Sequence, residues 1–124
     1  MKLAVNGTLM RGLKLNPNLQ AVDAQFLYES ATAPSYRLWT IDDEHPAMQR
    51  VSAGGASIAL EVWEVPASGI AEVLSAEPAG LCIGKVTLVD GEEVLGVLGE
   101  AVLCENRTEI TEFGGWRAYC DSLE

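Results

Sequence analysis

The sequence predicts an α+β fold, a small curled sheet or barrel carrying short helices. Six or seven segments have strand character against two or three short helical ones, and no internal repeat links them. An Asp90-Gly91 pair between two apolar runs marks a tight hairpin. Residues 57–65 send Ile58, Leu60 and Val62 to one face and Ala59, Trp63 and Val65 to the other, which describes a strand apolar on both sides. Hairpin and two-sided strand are expected as antiparallel parts of one sheet, and nothing in the order of segments supports a doubly wound fold.

Each element has its own reason. Lys2-Leu3-Ala4-Val5 reads as the first strand, stopped by Asn6-Gly7, and residues 8–12 as a loop or a single helical turn. Pro17 biases Asn16 away from helical angles, so a short helix is expected from Asn18. Two strands, 24–33 and 36–41, are joined through Pro34. The acidic run Asp42-Asp43-Glu44 leads through His45 to Pro46, which predicts an exposed crossing loop because proline cannot serve a central strand. Glu61 and Glu64, on an otherwise apolar strand, each need a rim position or a partner. Ser68 is placed as the cap of a helix over 69–76 that stops before Pro78. The hairpin pairs 85–89 with 92–98, Asp-Gly supplying the positive φ values of its turn. A short strand is expected over 101–105, and a terminal helix over 116–120 after Gly114-Gly115.

At 124 residues the chain supports one core, so residues 1–124 are read as a single domain. Its 48% hydrophobic and 21% charged residues are those of an ordinary globule. The net charge of −10 offers nothing to neutralise a row of phosphates or to hold an anionic bilayer, which excludes nucleic acid and membrane as partners. No apolar run approaches the roughly 20 residues of a membrane span. Cys82, Cys104 and Cys120 are odd in number and lack metal-ligand spacing. They read as free thiols of a reducing, cytoplasmic compartment.

Chemistry-bearing motifs are sparse. There is no phosphate-binding loop, no dinucleotide glycine pattern, no CxxC pair and a single histidine, His45, whose acidic neighbours read as a solvated face and not as a metal site. Arg11, Arg37 and Arg50 are three of eight cations, and a small anion would call on at least one of them for bidentate pairing. Trp39, Trp63 and Trp116 read as core residues. The Asn6-Gly7-Thr8 turn is either a plain connection or a concave set of backbone donors, with Gly7 there for positive φ and for close approach.

The segment Val5-Asn6-Gly7-Thr8-Leu9-Met10-Arg11-Gly12 resembles the Tyr-Gly-Ser/Thr-Leu loop of the γ-glutamylcyclotransferase-like superfamily. Tyr36-Arg37-Leu38-Trp39, Pro46-Ala47-Met48, Gly54-Gly55-Ala56, Glu61-Val62-Trp63, Leu81 with Ile83-Gly84, and residues 96–100 resemble in their order one branch of it, the C-terminal domain of allophanate hydrolase. The likeness runs from about residue 3 to 116, and the amidase domain to which that C-terminal domain is normally fused is missing, so the chain reads as a free-standing version.

The resemblance implies a small mixed β-barrel with a cavity at one end, lined by the amides of Gly7, Thr8 and Leu9. It implies that Glu77, in the place of the cyclotransferase general acid and base, is the catalytic residue, with a raised pKa. Asn6, Gly7, Thr8, Leu9, Arg50 and Tyr36 are the expected ligand-binding residues, without metal or organic cofactor. The expected ligand is a small carboxylate or a ureido or γ-glutamyl-amine compound. The rival expectation is a non-catalytic accessory module that forms homo-oligomers or binds an amidase of a urea pathway. Departures from both patterns are plain: Asn6 stands where cyclotransferases have Tyr, no Tyr follows Glu77 at the expected interval, and Thr8 stands where allophanate hydrolase domains often carry His.

Overall fold

Alternation in β1 (Lys2–Val5) sends Leu3 and Val5 to one side and Ala4 to the other, and all three are buried. A strand buried on both faces belongs in the middle of a sheet. A computed structural model, which describes residues 1–124, places β1 there, between antiparallel β5 (Ala59–Glu64) and parallel β7 (Glu93–Gly99). Outside β5 lies β2 (Gln25–Ala31), and outside β7 lies β6 (Leu81–Thr87), giving the order β2-β5-β1-β7-β6. Leu3, Val5, Trp63 and Val97 join the main core, while Ala4, Leu60, Val62, Leu88 and Val94 form a second cluster across the sheet. Each fully buried aliphatic side chain contributes roughly 1.5–3 kcal/mol.

A second, three-stranded sheet has β3 (Tyr36–Ile41) between β4 (His45–Arg50) and the two-residue β8 (Thr108–Glu109). It packs on the first through β4 and β7, where the Gln49 side-chain amide donates to the Gly99 carbonyl at 3.2 Å. Helices α1 (Asn16–Gln20), α2 (Ala67–Ala76), α3 (Ala101–Cys104) and α4 (Trp116–Ser122) fill the connections, and a 3₁₀ turn over Thr111–Phe113 precedes α4.

The α+β class holds, and β5 and the hairpin share one sheet as expected. The closed barrel does not form. The edge strands of the five-stranded sheet meet only at the isolated bridge between Thr32 and Leu88, with Ala33 N–H donating to Thr87 O and Val89 N–H to Ala31 O. The result is a curled sheet whose edges touch at one end.

Five local expectations need correction. The 42–46 segment is not an exposed loop throughout: His45 and Pro46 are buried and begin β4. Because β4 is an edge strand, the missing N–H of Pro46 is tolerated, and the turn itself is made by Asp42 and Asp43, both in left-handed conformation. Residues 101–104 form α3 and not a strand; a short apolar run carries no reliable period, and Val102 remains 67% exposed. Helix α1 begins at Asn16, with Pro17 in the first turn, where a missing N–H leaves no partner unmet. Ser68 lies inside the first turn of α2, behind Pro66, and makes no capping hydrogen bond. In the hairpin only Gly91 takes positive φ, +91°. Gly91 N–H donates to Leu88 O and Leu88 N–H to Glu92 O, the pattern of a three-residue turn ending in a glycine bulge.

Candidate functional site

The chain leaves β1 at Asn6, which is 4% exposed, and its side-chain amide donates to the Val97 carbonyl on β7 at 3.0 Å. From there the loop is shaped by its own backbone: Met10 N–H donates to Gly7 O at 3.0 Å and Leu15 N–H to Thr8 O at 2.9 Å. The buried Asn16 side chain donates to Leu9 O at 2.9 Å, and Glu61 accepts the Arg11 N–H at 2.9 Å. With Leu13 N–H donating to Met10 O at 3.1 Å, every carbonyl of the stretch 7–10 is occupied, while the N–H groups of Gly7, Thr8 and Leu9 meet no acceptor in the protein. Gly7 and Leu9 are buried and Thr8 partly so; unpaired amides in such surroundings are uncommon, and successive free N–H groups are what a concave donor site for an oxyanion or carboxylate requires.

Gly7 is needed here for space alone. Its φ is not positive, contrary to the sequence expectation, but a Cβ would come within 2.6 Å of Pro46 Cδ.

Helix α2 delivers Glu77 to the same place. Glu77 follows the last helical residue in extended conformation, φ −74° and ψ 152°, and Pro78 forbids a further turn. Its carboxyl group lines one cleft with residues 5–9, His45, Pro46, Leu81 and Val97. The cleft has about 10 Å³ of room, space for roughly one water. Beyond it an outer basin of about 220 Å³ shares Thr8, His45 and Glu77 and adds Lys14, Leu15, Glu44, Ala76 and Pro78. Glu77 thus stands between a tight inner cleft and an open mouth. No cation or donor pairs with it, and burial alone raises its pKa to about 7.

His45, which the sequence reads as part of a solvated face, is the functional candidate not expected at this site. It is 8% exposed, lines both compartments, and its Nδ1 lies 3.1 Å from the Pro46 carbonyl. A carbonyl only accepts, so in this contact Nδ1 is the donor. The signal was present in the strand-like 45–50 segment but was masked by Pro46. Lys14 is the second addition, a cation at the mouth.

The other expected ligand residues are elsewhere. Tyr36 is fully buried, and its hydroxyl accepts from Arg50 Nη2 at 3.0 Å and from Thr87 N–H at 2.9 Å. Tyr36 pairs with Arg50 while Ile41 pairs with His45, so Tyr36 and Arg50 occupy the opposite end of the β3–β4 ladder from the cleft. None of the three arginines lines it. Arg11 pairs with Glu61 and Glu29, Arg37 with Glu109, and Arg50 with Tyr36 and the Lys85 carbonyl. An anion in the cleft would be met by backbone amides, not by the guanidinium that was expected.

A second cavity of about 320 Å³ lies between the β2–β5 edge and α4, lined by Met10, Leu60, Phe113 and Trp116 among others. Its buried carboxylate, Glu61, is fully engaged, accepting from Arg11 N–H, Arg11 Nε at 3.1 Å, Trp63 Nε1 at 3.1 Å and Arg117 Nη2 at 3.2 Å. Burial pushes that carboxyl up, but these four donors outweigh it and hold its pKa below the usual carboxylate range. Glu61 has the partner its sequence position called for.

Comparison with known proteins bears on the chain as a whole. The model of the family described as allophanate hydrolase C-terminal domain matches residues 1–121. Urea amidolyase of Saccharomyces cerevisiae is 33% identical over the whole chain, which spans 7% of that relative's length. Among solved structures, c4763, described as a uropathogenic E. coli-specific protein, is 54% identical with a TM-score of 0.95, over 97% of this chain and 94% of that one. Allophanate hydrolase of Kluyveromyces lactis is 32% identical with a TM-score of 0.93, over 99% of this chain and 21% of that one. An aig2-like protein of Mus musculus, 18% identical with a TM-score of 0.62 over 82% of this chain and 77% of that one, shares the fold alone.

Proposed function

The chain belongs to the allophanate hydrolase C-terminal domain family, and from that premise we propose that its cleft binds a small carboxylate or ureido compound, which Glu77 acts on by acid–base chemistry. The observation that carries this reading is the convergence of three unpaired amides, at Gly7, Thr8 and Leu9, with an unpaired, half-buried carboxyl group delivered from α2. The amides hold negative charge as it develops. A carboxylate that titrates near neutrality takes a proton from an attacking amine and, now as the acid, gives it to the departing amine, with little driving force lost in either direction. No metal or organic cofactor enters this scheme, and the reading assigns the protein to the cytoplasm, where carbamate and ureido compounds of a urea pathway would be met.

A thermal-shift screen of small dicarboxylates, γ-glutamyl amines, allophanate and biuret tests it, since a ligand of the native state stabilises it by mass action. Gly7→Val should remove every ligand-induced shift, because the added Cβ meets the Pro46 ring and closes the cleft. With a turned-over ligand in hand, Glu77→Gln should lower turnover by roughly 10² to 10⁴-fold while keeping the ligand-induced shift.

The narrowness of the inner cleft favours a second reading, that of an accessory module for an amidase or for self-association. No turnover of any candidate compound, together with concentration-dependent association with a urea-pathway amidase, would replace the first reading with this one.

A further inference from the structure

The residues of the three free amides line the inner cleft together with Glu77, and Thr8 and Glu77 also line the basin of about 220 Å³ outside it, so an anion that puts an oxygen into the cleft and its body in the basin lies close to that carboxyl. The charges that could mediate between them are few. β1, β6 and β7 contribute only uncharged groups to the cleft. The titratable groups facing Glu77 are His45 from β4, Glu44 from the turn before it, and Lys14 from the stretch before α1, and the last two are exposed and opposite in sign. No arginine is within reach, and Glu77 forms no hydrogen bond or ion pair with any of the three.

Resting on the proposed site, we propose that Glu77 is its ligand selector: neutral Glu77 admits a planar carboxylate or carbamate monoanion, and ionised Glu77 excludes it in favour of a ureido or amine N–H donor. In the first state the anion has two oxygens to satisfy. One accepts from the amides of Gly7, Thr8 and Leu9, and the other accepts the Glu77 O–H, an acid–carboxylate pair of the short, charge-assisted kind. In the second state the cleft would hold two like charges with no cation between them, and only a ligand that donates to the carboxylate fits. Burial sets the changeover near pH 7, so carboxylate binding takes up one proton above that pH. His45 is the other ionisable residue that lines the inner cleft, which makes it the control.

Sodium acetate is the probe, because it stays ionised throughout the range and carries no donor. The backbone amide signals of Gly7, Thr8 and Leu9 are followed by NMR during titration at several pH values from about 6 to about 9, in the parent, Glu77→Gln and His45→Gln. In the parent the Kd should rise about tenfold for each pH unit above roughly 7. It should stay flat in Glu77→Gln, whose amide N–H replaces the carboxyl O–H, and keep the parent's slope in His45→Gln. A parent Kd that does not move with pH would overturn the selector while leaving the anion site standing. Loss of the slope in His45→Gln with retention in Glu77→Gln would overturn the assignment to Glu77. If acetate moves none of the three amides at any pH in a folded parent, the site itself fails.

Discussion

On β5 the carboxylate of Glu61 accepts from four donors, whereas at the end of α2 that of Glu77 accepts from none. Both side chains leave water, and the surroundings push them in opposite directions. Glu61 ties three distant pieces together: the first loop through Arg11, the sheet through Trp63 and the C-terminal helix through Arg117, whose Nη2 also reaches the Arg11 carbonyl. It is a strut whose lone pairs are spent. Glu77 keeps its lone pairs and its proton available next to three amides in the same condition. A fold that satisfies one buried carboxylate so completely and leaves another bare separates holding the loop from using it.

The contrast breaks first at Glu61. Glu61→Ala should lower stability by about 3 kcal/mol at neutral pH, because the Trp63 indole and the Arg11 amide lose their acceptor and two guanidinium groups lose their counter-charge. Denaturant unfolding measures it, and a loss under about 1 kcal/mol would mean the network is surface decoration. Since the folded-state pKa of Glu61 lies below its unfolded value, its contribution is present at neutral pH and is lost as pH falls through that folded value.

Glu77 should behave with the opposite sign. Its folded-state pKa of about 7 exceeds the ordinary value of 4.5, so the native protein binds the proton more tightly than the unfolded chain does. Stability therefore falls as pH rises between those values and is flat above them. Glu77→Gln should accordingly be more stable than the parent at about pH 8, by at most about 3 kcal/mol, and indistinguishable from it at about pH 4. Melting curves across pH would sink the contrast if parent and variant ran parallel throughout. At the small end stands Ser68, which makes no cap: Ser68→Ala should change stability by less than about 0.5 kcal/mol, where a true N-cap would cost about 1 kcal/mol.

These differences also mark what could be read from the chain. The period-two pattern of β1 and β5 and the Asp-Gly hairpin announce themselves because neighbouring residues carry the signal. Edge strand β4 does not, since Pro46 is admissible only once it is known that nothing pairs with its outer side. α3 was misread because Val102 and Leu103 fit helix or strand equally. Asn6 through Leu9 and Glu77 could be named together by family resemblance but not by spacing, for some seventy intervening residues carry no local sign of their meeting. The emptiness around Glu77, and the arrival of His45 beside it, belong to tertiary packing alone. The arginines misled for the complementary reason: in an acidic chain each found a nearby carboxylate or carbonyl instead of a ligand.

The parallel pairing of β1 with β7 carries a consequence for how the molecule is made. Leu3 sits opposite Leu95 and Ala4 opposite Gly96, so the first strand synthesised meets β5 halfway along the chain and its second neighbour, β7, only after most of the chain exists. Closing so long a loop is slow compared with zipping the β6–β7 hairpin. The N-terminal strand is therefore expected to dock late, and the donor loop that follows it to take shape last. Pulsed hydrogen exchange during refolding should find the β1 amides protected after those of the hairpin; simultaneous protection would argue for a nucleus that already spans both ends of the polypeptide.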